Sequence, residues 1–276
     1  MPRYCPPAET AIRPLVIAIT LASGSLMTGE TLAQDPAPRG ASATMLEEVV
    51  VTARKREEGM QEVPLSVSAF NSSQIEALKV RDLNDLSVGM PNVTLQDVGT
   101  SRGTANFSIR GLAVNSSIPS IDPTVGVFVN GVYLGTNNGV IFDTFDLESI
   151  EVLRGPQGTL FGRNTTGGAI LLNTTKPGDS LEASFRTAIE TGDIGGINTY
   201  YMGAVGGPIT SDIGGRLVLY YNDDDGQLEN DFTGDDVLAI EQTMARGTLT
   251  WTPGDRTDIT LRYEYLDIDG DGPQAQ

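Results

Sequence analysis

The chain has 276 residues, a formal net charge of −18, no histidine and a single cysteine, Cys5. That acidity excludes a nucleic-acid partner, whose phosphates call for Lys and Arg. The missing histidine removes the commonest general base and metal ligand, and one cysteine allows neither a disulfide framework nor a CxxC redox pair.

Residues 1–33 read as a secretory signal. Arg3 and Arg13 supply the positive end, and residues 15–22 (LVIAITLA) form an apolar core too short to span a membrane. Thr31-Leu32-Ala33 offers the small residues a leader peptidase needs before Gln34. Residues 34–45 are a linker of Pro, Gly, Ala and Ser that cannot bury enough surface to order itself. Residues 46–52 (LEEVVVT) are then β-branched and free of Gly and Pro, while 53–58 are charged and expected to be mobile. A β-branched run between mobile flanks can add as a strand to a partner's sheet edge. It can equally be the first strand of the domain that follows. As a strand it would put Val50 and Thr52 on one face, and Val49 and Val51 on the other.

From residue 59 to 178 the pattern is mixed α and β. Residues 63–69 alternate as a strand. The capping-box spacing of Ser73 and Glu76 predicts a short helix starting there. Asp82 caps a second helix, ended by Gly89 and Pro91. Residues 106–110 form a strand. Residues 125–129 and 132–134 flank Asn130-Gly131, which suits the two positive φ angles of a type I′ hairpin turn. Two more strands, 150–153 and 169–174, enclose a Gly-rich loop. No Gly-Lys-Ser/Thr follows its glycines, which excludes a P-loop phosphate site.

After Lys176-Pro177-Gly178 the period becomes two. Strands are expected at 182–190, 198–205, 216–221, 243–252 and 258–265. Leu217, Leu219 and Tyr221 oppose Arg216, Val218 and Tyr220; Ile259, Leu261, Tyr263 and Tyr265 oppose Asp258, Thr260, Arg262 and Glu264. Polar residues at every second position suit a membrane barrel, with lipid on one face and water on the other. Tyr200, Tyr201, Tyr220, Tyr221, Trp251, Tyr263 and Tyr265 are expected to form an interfacial girdle. Short inner turns fall at 209–215 and 253–257, and a long outer loop at 222–240. Asp267, Asp269 and Asp271 before Gly272 match the first half of a calcium loop. A solvated acidic loop is the plainer reading of them.

Four segments, behind a leader and ahead of amphipathic strands, resemble the TonB-dependent receptor family. They are 47–53 (EEVVVTA), 109–112 (IRGL), 127–133 (VFVNGVY) and 150–177 (IEVLRGPQGTLFGRNTTGGAILLNTTKP). The resemblance implies an α+β plug domain, a mixed sheet with short helices, over 59–178. The first five strands of an antiparallel transmembrane β-barrel would follow at 179–276. Plugged transporters use about 22 strands, so the chain is expected to be the N-terminal part of a longer receptor. The resemblance also implies a TonB box at Glu48, Val49, Val50, Val51, Thr52 and Ala53, with a mobile flank to residue 58. Its partner would be TonB, energised from the inner membrane. The barrel would sit in the outer-membrane lipid of a Gram-negative bacterium, with the plug facing the periplasm. The implied function is uptake of a scarce, bulky ligand, by default a ferric siderophore, with cobalamin or oligosaccharide as alternatives. Catalysis, a cofactor and a resident metal are not expected. Arg110, Arg154 and Arg163 are expected to meet inward wall carboxylates such as Glu182, Glu190 or Glu264, or else to satisfy carbonyls of the plug. A binding or adhesion module without transport is the competing function.

Overall fold

The computed structural model describes residues 49–80, 82–98, 101–114, 121–135, 145–191, 197–226, 228–229, 236–237, 239–254 and 256–270. The expected leader, the linker and Glu48 lie outside the described residues. The chain begins with a hairpin of β1 (Val50–Val51) and β2 (Glu58–Gly59). Then come β3 (Val67–Asn71), α1 (Ser72–Ala77), α2 (Leu83–Val88), β4 (Val93–Val98) and β5 (Ser101–Ile109). The first domain closes with β6 (Val125–Val129), β7 (Val132–Tyr133), β8 (Leu147–Arg154), α3 (Gly158–Phe161) and β9 (Gly168–Thr174).

Its sheet has the order β3-β8-β9-β6-β7, parallel only between β6 and β9, so it is mixed as expected. Both faces are covered, because β8 and β9 carry apolar residues on each. Ile150, Val152, Ile170 and Leu172 pack toward α2, β4 and β5 through Leu83, Leu86, Leu95 and Ile109. Leu153, Ala169 and Leu171 face the other way, onto Val51, Ala53 and Val63. Each fully buried aliphatic side chain here contributes about 1.5–3 kcal/mol. Gly168 packs directly against β8: a Cβ there would lie 2.3 Å from the Leu153 carbonyl oxygen.

The helices start where side chains can replace the missing backbone partners. Asp82 caps α2, as the sequence indicates. In α1 the box is shifted by two residues: Asn71 Oδ1 accepts from Gln74 N, and Gln74 Oε1 accepts from Asn71 N. Ser73 donates to the Asn71 side chain instead of capping. Asn130 and Gly131 take φ values of +50° and +80°, giving the expected turn between β6 and β7. Strand β4 is unread in the sequence, and β3 lies further along the chain than expected.

The second region is an antiparallel sheet of β10 (Glu182–Thr191), β11 (Ile197–Pro208), β12 (Ile213–Asp224), β15 (Ile240–Gly254) and β16 (Thr257–Gly270), neighbours in that order. A small hairpin, β13 (Leu228–Glu229) with β14 (Asp236–Val237), lies in the long connection. Strands of 10 to 15 residues reach or exceed the roughly 9–11 needed to cross a bilayer at a tilt. No described helix is long and apolar enough to cross a membrane. One face of this wall is apolar and bare: Phe185 is 73% exposed, Leu261 68% and Tyr263 72%. The opposite face buries Met202, Ala204, Val218, Tyr220 and Met244. Tyr220 and Tyr200 belong to that inner cluster and leave the expected girdle. Tyr201 and Tyr221 pair across strands toward one end of the wall, while Trp251 sits near the other.

Candidate functional site

The segment 49–53 is docked. Val50 and Val51 pair with Gly59 and Glu58, and Met60 N donates to Val49 O at 2.9 Å. Val51 and Ala53 are fully buried, whereas Val50 is 52% exposed. The flank expected to be mobile is instead the turn of this hairpin. Lys55 adopts φ +59° and donates its amide to Thr52 O. Glu58 pairs with Arg54 at 3.4 Å and Arg56 at 2.5 Å, and the Lys55 ammonium lies 5.7 Å over the Phe161 ring. Glu58 draws Arg54 and Arg56 together around the turn, which their linear order does not reveal.

Thr52 is held by a residue the sequence reading missed. Glu151 Oε1 accepts from Thr52 N at 2.7 Å, Thr52 Oγ1 at 2.8 Å and Asn173 Nδ2 at 3.2 Å. Asn173 also donates to Ser149 Oγ at 2.9 Å. Glu151 is fully buried on β8, and its Oε2 has no hydrogen-bond partner. Burial pushes its carboxyl pKa above the ordinary value, against the downward pull of the hydrogen bonds from Thr52 and Asn173. The signal was present: a charge interrupts the apolar run Ile150-Glu151-Val152-Leu153 on the face shared with Leu153.

The Gly-rich loop 155–167 is closed at its neck by Gly155 N to Gly167 O and Gln157 N to Thr165 O, both 2.9 Å. Among the described contacts, Arg110, Arg154 and Arg163 stay within their own domain. Arg154 Nη2 donates to Ser68 Oγ at 2.8 Å. Arg163 lies 4.0 Å from Asp122, with both side chains exposed. Arg110 sits in a turn at φ +55°, its guanidinium beside Gly155. Two of the three carboxylates expected for them have wall partners: Glu264 pairs with Arg246 at 2.5 Å, and Glu182 lies 3.9 Å from Arg216.

Charge crosses between the two regions with the opposite polarity. Arg216 on β12 chelates Asp146, with Nε at 3.0 and 3.1 Å from the two carboxylate oxygens and Nη2 on Oδ1. The two side chains are only 8% and 3% exposed. Arg186 on β10 reaches Glu76 at 3.1 Å in an exposed pair, which contributes little. A guanidinium fork on a buried carboxylate fixes orientation as well as distance.

The two described members of the acidic triplet are in extended strand. Asp267 and Asp269 lie within β16, opposite Thr243 and Glu241, and Asp271 lies outside the described residues. An extended strand spaces alternate carboxylates about 6.6 Å apart and cannot wrap them around an ion. Among the described residues no three His, Cys, Asp or Glu side chains converge as metal ligands.

Residues 60–169 match the family model of the TonB-dependent receptor plug domain. The pesticin receptor of Yersinia pestis is 30% identical over 213 residues, which are 75% of this chain and 30% of that protein. The iron-regulated outer membrane virulence protein of Vibrio cholerae serotype O1 is 30% identical over 168 residues, 59% of this chain and 24% of that protein. Among solved structures, the ferric yersiniabactin uptake receptor FyuA from Yersinia pestis superposes with a TM-score of 0.61 at 26% identity, over 74% of this chain and 32% of its own. The chain thus spans about a quarter to a third of the length of these relatives.

Proposed function

Because the chain belongs to the TonB-dependent receptor family, with its plug domain at residues 60–169 and barrel-wall strands after it, we propose that it couples ligand uptake to TonB. The protein is one of the Gram-negative outer membrane. The ligand is proposed to be a ferric siderophore, because relatives are named for iron regulation and ferric yersiniabactin uptake. Ligand arrives from outside, the plug responds, and residues 48–53 pass to TonB as an added strand. Arg110, Arg154 and Arg163 keep a proposed role in steadying the plug. Acting as a receptor and transporter, the protein needs no catalytic centre.

The observation that carries this reading is the state of the coupling segment. Val50 and Val51 are already in strand conformation at the head of the plug, held by a two-residue pairing and by Thr52. A two-residue pairing can be exchanged for a longer one on a partner, whose added rungs offset the lost burial of Val51 and Ala53. The test is energy-dependent uptake of a radiolabelled ferric siderophore by cells carrying the whole receptor. Val50→Pro removes a backbone donor and resists strand addition, so uptake should fall at least tenfold with receptor abundance unchanged. Undiminished uptake would overturn the proposal.

A further inference from the structure

We propose that Glu151 is the catch of the coupling segment: a buried plug carboxylate that keeps residues 50–53 docked by gripping Thr52. This inference rests on reading 48–53 as the segment TonB takes. Glu151 is a positioning residue, acting on TonB access only through Thr52.

Three observations point to it. First, one oxygen does all the holding: Oε1 accepts the Thr52 amide, the Thr52 hydroxyl and the Asn173 amide. The Thr52 N–H is thereby unavailable to a partner strand. Second, the grip is isolated within an apolar cluster, with Val51, Ala53, Leu153 and Leu171 packed around it. Third, the other oxygen is buried without a partner. A carboxylate needed only for packing or for its hydrogen bonds would be replaced well by an amide; an ionisable group kept half-satisfied in a dry site is costly. That cost vanishes when the segment leaves and water reaches the carboxyl, so the same group that holds the segment also favours its release once ionised.

Among the described residues, burial and the hydrogen bonds from Thr52 and Asn173 act on the Glu151 carboxyl, and no titrating neighbour does. Thr52 faces Glu151 from the segment, Asn173 and Leu171 from β9, Ala69 from β3 and Ser149 from its own strand. No cation pairs with it among the described residues. Burial raises its pKa in the docked state above the ordinary carboxylate value. Docking is therefore strongest below that ordinary value and weakens as pH rises through the docked-state pKa.

The test uses the whole receptor in outer membranes from cells lacking TonB, with a nitroxide on Val50→Cys. The mobile fraction of the spectrum reports undocking over a pH series that starts below the ordinary carboxylate value and rises through it. With native Glu151 the mobile fraction should rise with pH. Glu151→Ala should raise it at least threefold at the acid end. Glu151→Gln keeps a carbonyl acceptor for Thr52 without the charge, so it should stay docked and lose the pH slope. A slope that survives in Glu151→Gln, or an alanine variant that matches the native spectrum at every pH, overturns the catch. Because TonB is absent, the result is independent of the uptake test. A catch seen here alongside undiminished uptake in Val50→Pro would sink the TonB assignment and leave the catch standing.

Discussion

The plug sheet and the wall sheet are built from the same kinds of strand and treat solvent in opposite ways. In the plug, Ile150, Val152, Leu153, Ile170 and Leu172 are fully buried because both faces of β8 and β9 are covered. In the wall, Phe185, Leu219, Leu261 and Tyr263 stand bare on one face while Arg216, Arg246 and Met244 are buried on the other. The meaning of a polar residue inverts between them. On the inner face of the wall an arginine is expected. On β8 a glutamate is an exception that demands a reason, and the reason is Thr52. A bare apolar face of this extent is expensive in water and natural in lipid.

The sharpest way to break this comparison is at the joint between the two sheets. Asp146→Ala leaves the buried Arg216 guanidinium with only the exposed Glu182 carboxylate at 3.9 Å, and losing one member of a buried pair costs about 3–5 kcal/mol. Urea unfolding of the whole receptor in lipid vesicles should show that loss in the plug transition; a loss no larger than that of an exposed pair such as Arg186–Glu76 would mean the regions are not joined there. Next is the bare face itself. Leu219→Arg places a charge toward lipid mid-strand, at a cost of about 2–4 kcal/mol if that face is in hydrocarbon. Near-neutral behaviour in the same assay would return the wall to water. The smallest effect concerns the plug alone. Asn71→Ala removes the cap of α1 and should lower plug stability by about 1 kcal/mol, whereas Ser73→Ala should change little, as followed by the same denaturation curves.

Much of this was legible because wall strands obey one rule over many residues. Leu217, Leu219 and Tyr221 point away from the plug and Arg216, Val218 and Tyr220 toward it, as alternation requires. Asn130-Gly131 and Asp82 were legible because their local chemistry permits few alternatives. What escaped was decided by partners far away in sequence. Strand β4 is defined by pairing with β5, after Asn92 turns the chain at φ +60°. The α1 cap was misplaced by two residues: the capping-box spacing points to Ser73 and Glu76, and the structure uses Asn71 and Gln74. Glu151 and Thr52 are 99 residues apart, so no window of sequence brings them together. The same holds for Arg216 and Asp146, 70 apart: the sequence could place an arginine inward on the wall but not name what it would find.

The hairpin at the head of the plug also has a direction. Val49 and Met60 sit side by side at its open end, joined by the Met60 N to Val49 O bond, and the turn at Lys55 is at the far end. A pull on the chain ahead of Val49 therefore loads the ladder as a zipper, one rung at a time, and not in shear. The rung at Met60 opens first, then those of β1 and β2, and the tension reaches Thr52 and its carboxylate last. Peeling of this kind yields at low force and leaves the β8–β9 pairing beneath untouched until the hairpin is spent.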